Sequence, residues 1–180
     1  MADKSTWPED LKGYCLGNDG VLVVSFDGGK TYLECETVKN VNVNTTVSMI
    51  DTTTRRSGFF KEELAGKAEL SIDGEMLFDA TDPCYQQLQD AYLGGKVITV
   101  GAFLSNGNGP LMRASISDFT RSEELEGVVS VSAKYSNSRF IGWFTDSTAI
   151  TKSTGESVEH PCDFDEDGAI IGVKTAGGGT

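Results

Sequence analysis

Hydrophobic and polar residues alternate with a period of two along most of this chain, the signature of half-buried β-strands. Val21-Leu22-Val23-Val24-Ser25-Phe26 reads as a strand and Asp27-Gly28-Gly29-Lys30 as a tight turn, because Gly supplies positive φ. Thr31-Tyr32-Leu33-Glu34-Cys35 reads as the strand that pairs back. Val41, Val43, Thr45 and Val47 then alternate with Asn42, Asn44 and Thr46, predicting one buried and one wet face. From Ser48 to Gly66 the alternation stops, predicting a long inter-strand loop. It exceeds the roughly 12–15 residues beyond which loops are functional or disordered. It carries Arg55, Arg56, Phe59, Phe60, Lys61, Glu62 and Glu63. A wholly solvated loop has no use for two adjacent aromatics. Two readings stand: a loop folded over its own core, or one that docks on another protein, since Arg and aromatics are enriched at interfaces.

Alternation resumes at Ala68, Leu70 and Ile72 against Glu69, Ser71 and Asp73, with Gly74 read as a bulge or bend. One helix follows, over residues 82–93. Asp82 is its N-cap, Pro83 suits its first position, and Gly94-Gly95 ends it. Tyr85, Leu88 and Tyr92, with Cys84 and Ala91, make its apolar stripe. Val97–Val100, the alternation Met112/Ala114/Ile116 and the alternation Val129/Val131/Ala133/Tyr135 are further strands, with a turn over 105–110. Phe140–Phe144 is a last strand or a docking segment. The predicted fold class is mainly β: an antiparallel β-sandwich or barrel with one flanking α-helix and a long inter-strand loop.

Charge narrows the function. The 180 residues carry 15 Lys+Arg against 27 Asp+Glu, a formal net charge of −12. A protein that grips phosphates needs cations to displace counterions, so a nucleic-acid-binding role is excluded, though not a surface past which DNA slides. Residues 155–180 hold −5 of that charge, in Glu156, Glu159, Asp163, Asp165, Glu166, Asp167 and Lys174. No apolar run reaches the roughly 18 residues of a membrane span, and no secretory signal is visible. With no route to an oxidising compartment, Cys15, Cys35, Cys84 and Cys162 are expected to be reduced packing or surface thiols. Their spacing matches no zinc site.

Catalytic constellations are missing. The single His160 lies in the acidic tail and reads as a surface residue. Glu62-Glu63 and Glu123-Glu124 read as solvated loop charges. No phosphate loop and no cofactor motif occurs, so no cofactor is expected. Asp163, Asp165 and Asp167, with Gly168, match the first half of a calcium loop, but the position of the bidentate ligand is Lys174. The expectation is an acidic loop without metal. A calcium-binding β-sandwich module is kept as an alternative.

The order of features then carries a resemblance. A strand pair and a long polar excursion precede Gly66-Lys67-Ala68-Glu69-Leu70-Ser71-Ile72-Asp73-Gly74, and the helix Asp82–Tyr92 precedes the strand at Val97. Gly127-Val128-Val129-Ser130-Val131-Ser132-Ala133 closes the series. This order resembles the major tail tube protein of long-tailed bacteriophages, a fold shared with the type VI secretion tube. The resemblance covers residues 18–137, leaving 1–17 as an N-terminal arm and 138–180 as a C-terminal extension, acidic and Gly-rich at its end. It implies a structural virion protein and no enzyme. Hexameric rings would stack into a tube whose lumen passes DNA and the tape measure protein without specific binding. A tail initiator or baseplate and a terminator would be its partners, with no membrane involved. The subunit would be assembled in the bacterial host cytoplasm and reside in the virion. It implies that the loop with Arg55, Arg56, Phe59, Phe60, Lys61, Glu62 and Glu63 reaches the neighbouring ring. A terminator or baseplate subunit of the same fold is the alternative within that class.

Overall fold

The computed structural model describes residues 20–123, 125, 127–151 and 156–174. Expectations placed on residues 1–17, on Cys15, on Glu124 and on the Gly-rich end lie outside them.

Seven strands form one antiparallel sheet, in the order β2-β1-β5-β6-β7-β4-β3. They are β1 (Val21–Ser25), β2 (Leu33–Glu34), β3 (Val38–Asp51), β4 (Glu63–Leu77), β5 (Val97–Phe103), β6 (Gly109–Ser122) and β7 (Ser130–Phe144). One helix, α1 (Pro83–Leu93), stands between β4 and β5. Two small hairpins follow: β8 (Ile150–Thr151) with β9 (Ser157–Val158), and β10 (Cys162–Phe164) with β11 (Ile170–Val173). The class is therefore mainly β and antiparallel, with one helix among the described residues. The sheet keeps two edges, β2 and β3, and does not close into a barrel.

It nevertheless curls strongly. β1 and β4 are separated by three strands in the sheet order, yet a Cβ built on Gly74 of β4 would lie 3.2 Å from Leu22 Cδ2 of β1. Gly74 sits in unbroken register between Val41 and Ala133, so it is no bulge. It leaves room for Leu22 to cross the interior. Inside the curl lie Leu22, Val24, Ile72, Met76, Val100, Met112, Val131 and Tyr135, capped by Cys84, Tyr85, Leu88 and Ala91 of the helix. The helix forms as read: Asp82 Oδ1 accepts from Cys84 N at 2.8 Å, and Gly95 takes φ 59° just past the end. Tyr92 departs from the buried stripe. It is half-exposed and stacks on Phe119 with ring centroids 5.6 Å apart.

Three further expectations need correction. The reach from Ser48 to Gly66 is not a loop throughout. β3 continues to Asp51 and β4 begins at Glu63, so the hairpin extends as an arm and only residues 52–62 form its loop. A bulge hid this from the alternation: Val47 faces Ala68 but Met49 faces Ala65, so Ser48 stands opposite two residues. Gly66 fits there because a Cβ would come within 2.6 Å of Ser48 Oγ. The valine face of β3 is not buried either: Val43 and Val47 are exposed, because the arm runs past the core. Finally, β2 is short. Asp27 Oδ1 accepts from Lys30 N at 2.9 Å and Thr31 N at 3.0 Å, which holds Thr31 in the turn. The Thr31 hydroxyl is the largest of the hydrogen bonds that hold the Asp27 carboxyl well below the usual carboxylate range.

Cys35 and Cys84 are joined as a disulfide, which overturns the expectation of reduced thiols for these two. The fold brings the exit of β2 beside the start of α1, with the Cα atoms 5.9 Å apart, inside the range a disulfide spans. The sequence gap of 49 residues hides that proximity. The closed loop contains the whole β3–β4 arm. For a loop of that length, chain entropy predicts that reduction, or Cys35→Ser, lowers stability by about 4 kcal/mol. Denaturant unfolding with and without reductant measures it. The intact mass under non-reducing conditions reports the bond directly.

Candidate assembly surfaces

Two surfaces stand out, and both come from the β3–β4 hairpin. The first is the face of β3, β4, β7 and β6 that points away from the helix. Its cross-strand rows follow from the register: Asn40–Glu75–Ser132–Thr120, Asn42–Asp73–Lys134–Asp118 and Asn44–Ser71–Ser136–Ser115. Every member is polar. Asn44 Nδ2 donates to Asp73 Oδ2 at 2.7 Å and Asn40 Nδ2 to Glu75 Oε2 at 2.8 Å, so the asparagines of the edge strand are tied to carboxylates of the next. Ser136 donates to Ser117 Oγ at 2.9 Å. In these three rows the carboxylates of Asp73, Glu75 and Asp118 stand against one cation, Lys134. Hydroxyl and amide groups fixed among carboxylates make these three rows a hydrated, weakly anionic surface; beyond them Arg113 and Arg139 face each other across β6 and β7.

The second surface is the arm and its tip. Ser57 N donates to Thr54 O and Thr54 N to Ser57 Oγ, each at 3.0 Å, and Gly58 takes φ 67°. This turn presents Phe59 and Phe60 with relative exposures of 105% and 81%. Neither is folded over the core, so that reading of the loop is excluded. Arg55 and Arg56 are exposed beside them, Lys61 pairs with Glu63, and Glu62 accepts from Thr52 N through its backbone oxygen at 2.9 Å. The seven residues singled out from sequence therefore lie together at one protruding end.

The opposite end of the same sheet face is covered. Val23, Phe103, Leu111, Phe144, Cys162 and Ile170 make a second core, packed by the two small hairpins. β7 runs unbroken through position 137 into this layer. His160 lies at its centre with 2% exposure, which corrects the expectation of a surface residue. Its ring centroid is 4.5 Å from Phe103, 4.6 Å from Phe144 and 4.7 Å from Phe164. Cys162 N donates to Nδ1 at 3.0 Å, so Nε2 carries the proton and donates to Gly107 O at 3.0 Å. Gly107, at φ 82°, admits no side chain, since a Cβ would meet the Phe164 ring at 2.8 Å. The sequence signal that marks this site is faint: one His amid alternating apolar residues of a polar-looking tail. Nearby, burial pushes the Cys162 thiol up to about 12, so it is inert.

The aspartates of the calcium-like motif turn the β10–β11 hairpin. Asp165 Oδ1 accepts from Asp167 N at 3.1 Å and Ala169 N at 2.8 Å, and Gly168 takes φ 77°. Asp163 stands on β10 opposite Gly172. Among the described residues no three His, Cys, Asp or Glu side chains gather as metal ligands, so Asp163, Asp165 and Asp167 make no such cluster. No described helix is long and apolar enough to cross a membrane.

Similar architecture occurs among solved structures. The chain is similar to the tail of an empty gene transfer agent particle refined with C6 helical symmetry, with a TM-score of 0.66 and 16% identity over 73% of this chain and all of that one. It is similar to a chain of the native gene transfer agent virion, with a TM-score of 0.60 and 15% identity over 72% of this chain and all of that one. It is also similar to the SPP1 tail tube, with a TM-score of 0.59 and 16% identity over 74% of this chain and 79% of that one. No protein-family model and no curated protein matches the chain. The likenesses show the fold, which is that of phage tail tubes.

Burial pushes the His160 pKa below its ordinary value, and the charge of Lys174 adds to this, while Gly107 O and Asp146 oppose it. Its neutral form is thus the one the fold stabilises. The unfolded chain takes up a proton near pH 6.5 and the folded one only at lower pH, so stability falls as pH drops below about 6.5. Melting temperature measured from pH 7.5 to 5 will show this decline. His160→Gln lowers the melting temperature at neutral pH and flattens that part of the curve.

Proposed function

We propose that this chain, which has the phage tail tube fold, is a structural subunit of a virion tail and not an enzyme. Six copies form a ring, rings stack into a tube, and DNA crosses the lumen. The observation that carries this reading is the likeness to a tail chain refined with C6 symmetry, the whole of which this chain covers at a TM-score of 0.66.

Physical features of the chain support it independently. The three polar rows of β3, β4, β7 and β6 are suited to a lumen wall, because their carboxylates outnumber their one lysine and repel phosphates weakly. The exposed 14-residue edge of β3, an aggregation hazard in a free monomer, is suited to pairing with a neighbour in the ring. The arm with Arg55, Arg56, Phe59, Phe60, Lys61, Glu62 and Glu63 reaches the next ring. Growth starts on a tail initiator or baseplate and stops at a terminator, with the tape measure protein threaded inside. Assembly takes place in the host cytoplasm and the product is part of the virion.

Negative-stain microscopy and sedimentation test this. Rings or tubes on the order of 100 Å across are expected from six domains of this size. A monodisperse monomer at every concentration, with or without an initiator complex, overturns the reading. The double variant Phe59→Ser/Phe60→Ser is expected to stop stacking. Both residues are exposed, so its stability stays within about 0.5 kcal/mol of the parent.

A further inference from the structure

A pocket of about 480 Å³ opens where the polar rows of the sheet give way to the layer of small hairpins. Arg113 and Arg139 line it, with Lys30 of the turn after β1 and Lys174 after β11. The two arginines belong to one cross-strand row, Ser25–Thr99–Arg113–Arg139, set by the register of β1, β5, β6 and β7. Like charges directly opposite across an antiparallel pair repel and cost stability. Nothing within the subunit offsets that cost: among the described residues neither guanidinium makes a hydrogen bond or an ion pair. The acids nearby are engaged elsewhere. Asp27 accepts from the Ser25 hydroxyl, Lys30 N and Thr31 N, and Glu159 pairs with Lys174 at 3.6 Å. Glu156 lines the pocket too and is not free. Beside Arg113 in the row, Thr99 is 1% exposed and its hydroxyl has no hydrogen-bond partner, a second uncompensated cost. The turn leaves room for the arginine: Gly28 takes φ 82°, and a Cβ there would lie 3.4 Å from Arg113 Nη2.

We propose that this pocket is an oxyanion site that takes a phosphate group, and that in a tail tube the phosphate belongs to the backbone of the passing DNA. The DNA source rests on the tail tube reading; the phosphate site does not. Chemistry favours phosphate over carboxylate. One guanidinium fork already matches a single carboxylate, whereas two forks and an ammonium suit the several oxygens of a phosphate. Four cations line the pocket against two carboxylates, Glu156 and Glu159, an excess on a chain whose net charge is −12. Position favours DNA. Arg113 and Ser115 are two apart on β6, so the arginine row shares the face of the hydroxyl and amide rows. Carboxylates that repel phosphates thus border a row that attracts them, and a sliding duplex meets one foothold per subunit. One contact per subunit is compatible with an acidic chain; a gripping surface is not.

The melting temperature of the full chain, in inorganic phosphate and in chloride at equal ionic strength, tests the site. Phosphate is expected to raise it more in the parent and in Lys96→Gln, which removes an exposed cation outside the pocket, than in Arg113→Gln/Arg139→Gln. The general stabilising effect of phosphate is common to all three and cancels. Both arginines are exposed, so the double variant folds, and loss of their repulsion leaves its melting temperature in chloride no lower than the parent's. Fluorescence anisotropy with a short duplex DNA tests the source. The double variant is expected to bind about tenfold more weakly. It is expected to lower the slope of log affinity against log salt by about 1, as loss of one phosphate contact requires. Equal phosphate gains in all three proteins overturn the site. Polyglutamate that displaces phosphate at lower concentration assigns the pocket to an acidic protein segment and overturns the phosphate assignment. Phosphate binding with unchanged duplex affinity overturns the DNA source. Microscopy keeps the two readings apart. Tubes formed by parent and double variant alike leave the tail tube reading standing whatever the titrations give. A parent that forms none with an initiator overturns that reading, while the phosphate titration still decides the pocket.

Discussion

The structure depends on one steric constraint: the curled sheet must let β1 lean across the interior onto β4. Leu22 lies against Gly74, and a methyl group there would come within 3.2 Å of it. Because β1 reaches that far, Ile72, Met76, Val131 and Tyr135 are sealed on one side by the sheet and on the other by α1. The cost appears at Tyr135, whose hydroxyl has no partner in that interior and whose ionisation burial pushes strongly upward. With the apolar side chains drawn inward, the outer face of the same four strands is free to be polar in its three rows next to the arm. The hidden side and the wet side are therefore two consequences of one alternation.

The second core shows a different economy. Residues that look like a tail supply Cys162, Ile170, Phe164 and His160, and these cover apolar surface that β1, β5, β6 and β7 leave bare. The imidazole is useful there because it satisfies two buried backbone groups at once, Cys162 N–H and Gly107 C=O, while presenting a flat ring to three phenylalanines. No aliphatic side chain does both.

Where local chemistry decides the structure, the sequence could be read. Asp82 and Pro83 set the start of α1, and the alternation of β4 and β7 gave their faces, because capping and pleat depend on neighbours a few residues away. Where distant parts meet, the reading failed. Cys35 and Cys84 look unrelated until the fold sets them side by side. His160 looked solvated because the phenylalanines that bury it come from β5, β7 and β10. The arm looked like a loop because one bulge shifts the phase of the alternation and a Gly sits at the break. The residues at its tip were found by composition alone, since paired aromatics beside paired arginines are conspicuous anywhere.

The covalent ring closed by Cys35 and Cys84 also has a mechanical consequence. Both feet of the arm are fastened to one another at the body. Load on the tip runs down both strands, is shared on one side with the β4–β7 ladder, and meets a covalent link that keeps the two ends from separating. The disulfide closes the β3–β4 arm into a covalent ring at its base.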